Sequence, residues 1–84
     1  MADTFEVEIA TPEKLVLRQR AESAEIPGKS GYIGVLPGHA ALLSELAPGD
    51  LSITANGRTD TFPVTGGYVE IRDDHVRVLI DTAQ

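Results

Sequence analysis

Gly28-Lys29-Ser30 has the ending of a phosphate-binding loop. That loop needs a glycine five residues earlier and a helix opening directly after it, so that backbone N–H groups face the phosphates. Ser23 stands at the first place, and Tyr-Ile-Gly-Val-Leu-Pro follows, a β-like stretch ended by proline. The triplet reads as a glycine turn. His39 and Ser44 could be a base and a nucleophile, but Ser44 has no Gly-x-Ser-x-Gly elbow and no evident oxyanion hole. His39 therefore reads as a hydrogen-bonded or partner-facing loop residue. Zinc wants three or four ligands, and two isolated histidines, His39 and His75, in a chain without cysteine do not supply them. Glu6, Glu8, Glu22 and Glu25 could pair as acid and base. Each sits on the polar phase of an alternating strand, where solvated charge is the default. The residues thus offer no catalytic, cofactor-binding or metal-binding constellation.

The elements behind these residues belong to one small domain, residues 1–84, with room for one core. A hydrophobic share of 42% suffices for a folded chain. The net charge of −6 and the scattered bases argue against a nucleic-acid partner, which would want clustered Lys and Arg. No apolar run approaches the roughly 20 residues of a membrane span, so direct membrane insertion is not expected. The N-terminus carries neither a basic nor an apolar leader region, which predicts a cytosolic-type domain.

Period-two alternation dominates the chain. Phe5, Val7 and Ile9 alternate with Glu6 and Glu8, and residues 14–18 form a second apolar stretch after the turn at Thr11-Pro12-Glu13. Ala24 and Ile26 follow, and Pro27-Gly28 is expected to break that strand. Residues 28–40, rich in glycine, read as tight bends with close backbone packing. Residues 40–46 fit one helical turn or a buried strand equally well. Leu51, Ile53 and Ala55 share a face, and Asn56-Gly57 predicts a type I′ hairpin into a strand over 59–64. Gly66-Gly67 allows a bend before Val69 and Ile71, and Asp73-Asp74 turns into Val76, Val78 and Ile80. Tyr68 and Leu79 fall on the phase opposite these core residues and predict an apolar spot on the outer face. The spacing predicts an all-β fold, a small antiparallel β-sandwich of two packed sheets with about eight to ten short strands.

Four ordered motifs carry a family resemblance. Gly31-Tyr-Ile-Gly-Val-Leu-Pro-Gly-His-Ala-Ala-Leu-Leu-Ser-Glu-Leu46 resembles the signature of the epsilon subunit of F-type ATP synthase. Pro48-Gly49-Asp50-Leu51, Gly66-Gly67-Tyr68-Val69-Glu70 and Val76-Arg-Val-Leu-Ile-Asp-Thr-Ala83 resemble three further stretches of that family, in order. The resemblance implies a non-catalytic central-stalk subunit without a cofactor, peripheral on the cytoplasmic face of an energy-transducing membrane. It implies two partners, the gamma subunit and the polar loops of the membrane rotor ring, between which it couples proton flow to ATP synthesis. The residues it points to for partner binding are Gly31, Tyr32, Pro37, Gly38, His39 and Ala40, to which the outer-face pair Tyr68 and Leu79 is added.

Three departures bear on those expectations. Ala41 replaces a common proline, and Tyr32 stands where the family often has an acid in the bend that would face the ring. The family usually continues into an inhibitory helical hairpin, whereas this sequence ends at Gln84. Ile80-Asp81-Thr82-Ala83-Gln84 begins a family ATP motif but lacks its arginine, so coupling without inhibition of hydrolysis and without ATP binding is the expectation. An unrelated sandwich using residues 28–40 as a ligand loop is the alternative. It would want more exposed aromatics than two Phe and two Tyr provide.

Overall fold

A computed structural model describes residues 4–81. Thr82, Ala83 and Gln84, and with them the end of the ATP-motif comparison, lie outside the described residues. The chain forms β1 (Phe5–Ala10), β2 (Leu15–Ala21), β3 (Ser23–Gly28), β4 (Gly31–Val35), β5 (Leu42–Glu45), β6 (Gly49–Ala55), β7 (Arg58–Val64), β8 (Gly67–Arg72) and β9 (His75–Ile80). They make a five-stranded sheet, order β2-β1-β9-β8-β5, and a four-stranded sheet, order β4-β3-β6-β7. The sandwich is all-β, as expected. Its Cα radius of gyration is 11.6 Å, close to the ~12 Å that a chain of this length gives when compact.

The inner faces supply the core. Phe5, Val7 and Ile9 from β1, Val69 and Ile71 from β8, and Val76, Val78 and Ile80 from β9 meet Ala24, Ile26, Leu51 and Ile53 of the other sheet. All are buried, so alternation picked the correct phase of every one of these strands. Among the described residues one ladder is parallel. β1 lies beside β9 with Val7 opposite Val76 and Ile9 opposite Val78, placing the first strand against the last.

Asn56 (φ 55°) and Gly57 (φ 74°) form the expected two-residue turn between β6 and β7. Asp73 (φ 53°) and Asp74 (φ 57°) do the same between β8 and β9 without any glycine. Asp is among the few residues that tolerate the left-handed region, through local hydrogen bonding of its short side chain. Long-range bonds fix Asp74 as well: its carboxylate accepts from the Gly38 N–H at 2.6 Å and its carbonyl from the Glu6 N–H at 2.9 Å.

Three sequence expectations change. Pro27 does not break β3, which runs on to Gly28. The pairing of β6 with β3 stops at Glu25, so no neighbour there needs the N–H that proline lacks. Residues 40–46 resolve as the short strand β5, followed by an isolated bridge from Leu46 to Gly28. The apolar stretch at 14–18 is only partly inside, because Leu17 packs on the core whereas Leu15 and Val16 are exposed.

Candidate partner interface

The Gly-rich stretch 28–40 is divided between two ends of the sandwich. Gly28 faces Gly31 across the β3–β4 hairpin, with Lys29 and Ser30 as its tip. No helix follows, and Lys29 Nζ lies 3.0 Å from Glu45, so the triplet is a hairpin turn. The Lys29 N–H also donates to the Glu45 carbonyl at 3.0 Å, which ties the hairpin to β5 of the opposite sheet. Tyr32 lies on β4 just past this tip and is 58% exposed. Its hydroxyl accepts from the Asp50 N–H at 3.2 Å. A Cβ on Gly49 would stand 2.9 Å from that hydroxyl and 3.1 Å from Pro27 Cβ, so glycine is what lets the phenol lie across this corner. The expected bend is at Lys29-Ser30, and Tyr32 is a shelf beside it.

Pro37, Gly38, His39 and Ala40 sit at the far end of β4, in the turn that crosses from one sheet to the other. Asp74 holds Gly38, and the His39 N–H donates to the Leu36 carbonyl at 3.1 Å. His39 Nδ1 lies 2.7 Å from the Ala40 carbonyl oxygen, while Ser44 Oγ donates to the Glu45 carbonyl at 3.1 Å. Each of the two side chains is satisfied by backbone, and no bond joins them. The ligand-loop alternative loses its loop, because the two halves of 28–40 lie a strand length apart.

Tyr68 and Leu79 are brought together. They are directly opposed on β8 and β9, outward-facing and about half exposed. With Pro12, Thr11 and Gly67 they line a groove of about 220 Å³ at the hairpin end. Ala10 continues the row on β1, opposite Leu79 on one side and Leu15 on the other. Gly67 (φ 129°) shapes the groove wall, since a Cβ there would fall on the Leu79 carbonyl oxygen. The outer-face spot read from the phase of these two residues is therefore a contiguous apolar row.

The solvated-face reading of the acids fails at Glu8. Its side chain is 14% exposed and faces the guanidiniums of Arg18 (Nη2 at 3.6 Å) and Arg77 (Nε at 3.7 Å), with His75 Nε2 at hydrogen-bond distance, 3.2 Å. The hydrogen bond from His75, then the nearby charges of Arg18 and Arg77, hold its carboxyl below the usual value against the opposing effect of burial. Glu6 joins the network through Arg18 at 3.5 Å. Glu22 and Glu25 are exposed, as expected. β1 alone could not reveal this cluster, because the cations come from β2 and β9. Hairpin pairing about Asp73-Asp74 could have placed Arg77 beside Glu70 and His75 beside Arg72. Among the described residues no group of three or more His, Cys, Asp or Glu could hold a metal ion. No helix there is long and apolar enough to cross a membrane.

Residues 4–84 match the family described as ATP synthase, Delta/Epsilon chain, beta-sandwich domain. An ATP synthase epsilon chain of Koribacter versatilis is 49% identical over 84 residues, which are 100% of this chain and 59% of that protein. Another, of Solibacter usitatus, is 45% identical over the same length and is covered to 63%. The chain thus spans less than two thirds of these relatives. Among solved structures, a chain of the Euglena gracilis mitochondrial ATP synthase superposes with a TM-score of 0.91 at 23% identity, over 100% of this chain and 54% of that one. A central-stalk and c-ring structure of the Tetrahymena thermophila enzyme gives 0.75 at 23% identity, over 92% and 63%. These two likenesses speak for the fold.

Proposed function

The chain belongs to the ATP synthase delta/epsilon chain family, of which it forms the β-sandwich domain, and on that premise we propose that it is a non-catalytic rotor component. In this reading it binds the gamma subunit and the polar loops of the membrane rotor ring, and so couples proton flow to ATP synthesis. It is peripheral, on the cytoplasmic face of the membrane. The observation that carries the proposal is the match of all 84 residues to part of epsilon chains at 49% and 45% identity.

The geometry supports a division of labour. Gly31 and Tyr32 form one protruding end, suited to the ring loops. Tyr68 and Leu79, on the outer face of the five-stranded sheet, are assigned to gamma, and the crossing turn at Pro37, Gly38, His39 and Ala40 is a separate contact at the other end, beside Asp74. Both contact regions are backed by fixed structure: the hairpin by Glu45, the turn by Asp74. A rotor element that transmits torque needs such bracing, because a floppy contact would absorb the rotation.

Reconstitution tests the reading. Added to a synthase depleted of epsilon, the chain is expected to join the complex, be retained on gamma and restore proton-coupled synthesis. A chain that neither joins the complex nor binds gamma would remove the assignment.

A further inference from the structure

We propose that Asp74 is a positioning residue: its carboxylate, on the β8–β9 turn, sets where the crossing turn at Pro37, Gly38, His39 and Ala40 stands on the sandwich. Resting on the reading above that this turn is a partner contact, Asp74 then tunes the affinity of that contact by acting through Gly38.

The connection at 36–41 joins two edge strands, because β4 ends one sheet and β5 ends the other. Such a segment has no ladder neighbour, so its placement depends on individual bonds. Its local shape is set by its own residues. The His39 N–H donates to the Leu36 carbonyl at 3.1 Å, and Gly38 stands at φ 88°. Pro37 holds its φ at about −65°, which completes a type II turn over Leu36-Pro37-Gly38-His39. The bond inside such a turn uses the first carbonyl and the fourth N–H, which leaves the N–H of the third residue for a group outside. Asp74 Oδ1 takes this Gly38 N–H at 2.6 Å, a charge-assisted bond. Among the described residues it is the one hydrogen bond that ties 36–41 to another part of the chain.

Asp74 is itself anchored. It stands at φ 57° in the two-residue turn, and its carbonyl accepts from the Glu6 N–H at 2.9 Å, where β1 begins. One residue thus links the crossing turn to the β8–β9 hairpin and to the first strand. Its neighbour Asp73 has nearly the same backbone, φ 53°, and the same charge, and both residues are exposed. Yet among the described residues no hydrogen bond involves the Asp73 side chain. The two aspartates therefore separate the effect of the Gly38 bond from that of charge or turn type.

Three variants test the assignment. Asp74→Gly removes the acceptor while glycine accepts φ 57° without strain, so the fold is kept, as circular dichroism will verify. Asp74→Asn retains an acceptor oxygen and tolerates the left-handed region. Asp73→Gly removes the same charge and leaves Gly38 alone. In the free chain, amide hydrogen exchange by NMR should speed up at Gly38 about tenfold in Asp74→Gly, and stay near wild type in the other two. Binding to epsilon-depleted synthase should weaken about tenfold in Asp74→Gly, because a loosened turn must be ordered on binding. Asp74→Asn should recover most of that affinity, and Asp73→Gly should bind as wild type. Unchanged exchange at Gly38 in Asp74→Gly would overturn the positioning role, as would faster exchange with binding intact, or equal weakening by Asp73→Gly. Failure of the wild type to bind the synthase would instead overturn the rotor reading, while exchange at Gly38 still decides whether Asp74 places the turn.

Discussion

The two outer faces of this sandwich come from the same kind of sequence and differ in what they do. Both arise from strands in which apolar and polar residues alternate, and in both the inward phase is buried. On the four-stranded sheet the outward phase is short hydroxyl side chains on β3, β6 and β7 with Glu25 among them, and the exposed Tyr32 on the edge strand β4. On the five-stranded sheet it is a cross-strand network of charges around Glu8 and a row of apolar groups at Tyr68 and Leu79. Alternation specifies which side of a strand meets the core. It is silent on what the other side will meet, because that depends on which strands become neighbours.

Substitutions sharpen the contrast. The largest effect is expected at Gly67, which underlies the apolar row. Gly67→Ala puts a Cβ onto the Leu79 carbonyl at a φ of 129° and should cost ~3 kcal/mol or more, read by thermal or urea unfolding. A smaller loss belongs to the β6–β7 turn. Gly57 has open space around its Cβ position, so Gly57→Val should cost only the strain of a β-branched residue at φ 74°, at least ~1 kcal/mol. An unchanged melting temperature would contradict the turn type.

Glu8→Gln should cost about 1 kcal/mol at neutral pH, because the Arg18 and Arg77 guanidiniums that face it are themselves partly exposed. This loss is pH-dependent. The folded-state pKa of Glu8 lies below its ordinary 4.5, so the stabilisation is present above that value and lost as pH falls through the lower folded value. Wild type and Glu8→Gln should therefore converge in stability under acid. Parallel stability curves at all pH would mean that the cluster contributes nothing. The smallest effect is expected on the plain face: Thr61→Gln, exposed and opposite Ser52, should stay within ~0.5 kcal/mol of wild type.

What the sequence made legible follows the range of the physics. Asn56-Gly57 declares its turn because the left-handed conformation is a property of the residues themselves. The inward phases of β1, β6, β8 and β9 are declared by repetition within each strand. Glu8 was misread as solvated because its partners Arg18, His75 and Arg77 are set by the β1–β2 and parallel β1–β9 ladders, and the second joins the two ends of the chain. Pro27 was misread because a proline's cost depends on whether a neighbouring strand wants its N–H, and β6 stops short of it. The residues singled out for binding were legible as a set, through motif and phase. Their division between a hairpin end, a crossing turn and an outer face needed the fold.

Hydroxyl-radical footprinting of the chain, free and incorporated into an epsilon-depleted ATP synthase, tests the central claim most directly. Tyr68, Leu79 and Leu43 are exposed side chains that label readily when free, and Phe62 and Pro63 report on the strand β7 of the other sheet. The account predicts strong loss of labelling at Tyr68, Leu79 and Leu43 in the complex, with Phe62 and Pro63 little changed. Protection confined to Phe62 and Pro63, with Tyr68 and Leu79 labelled as in the free chain, would contradict it.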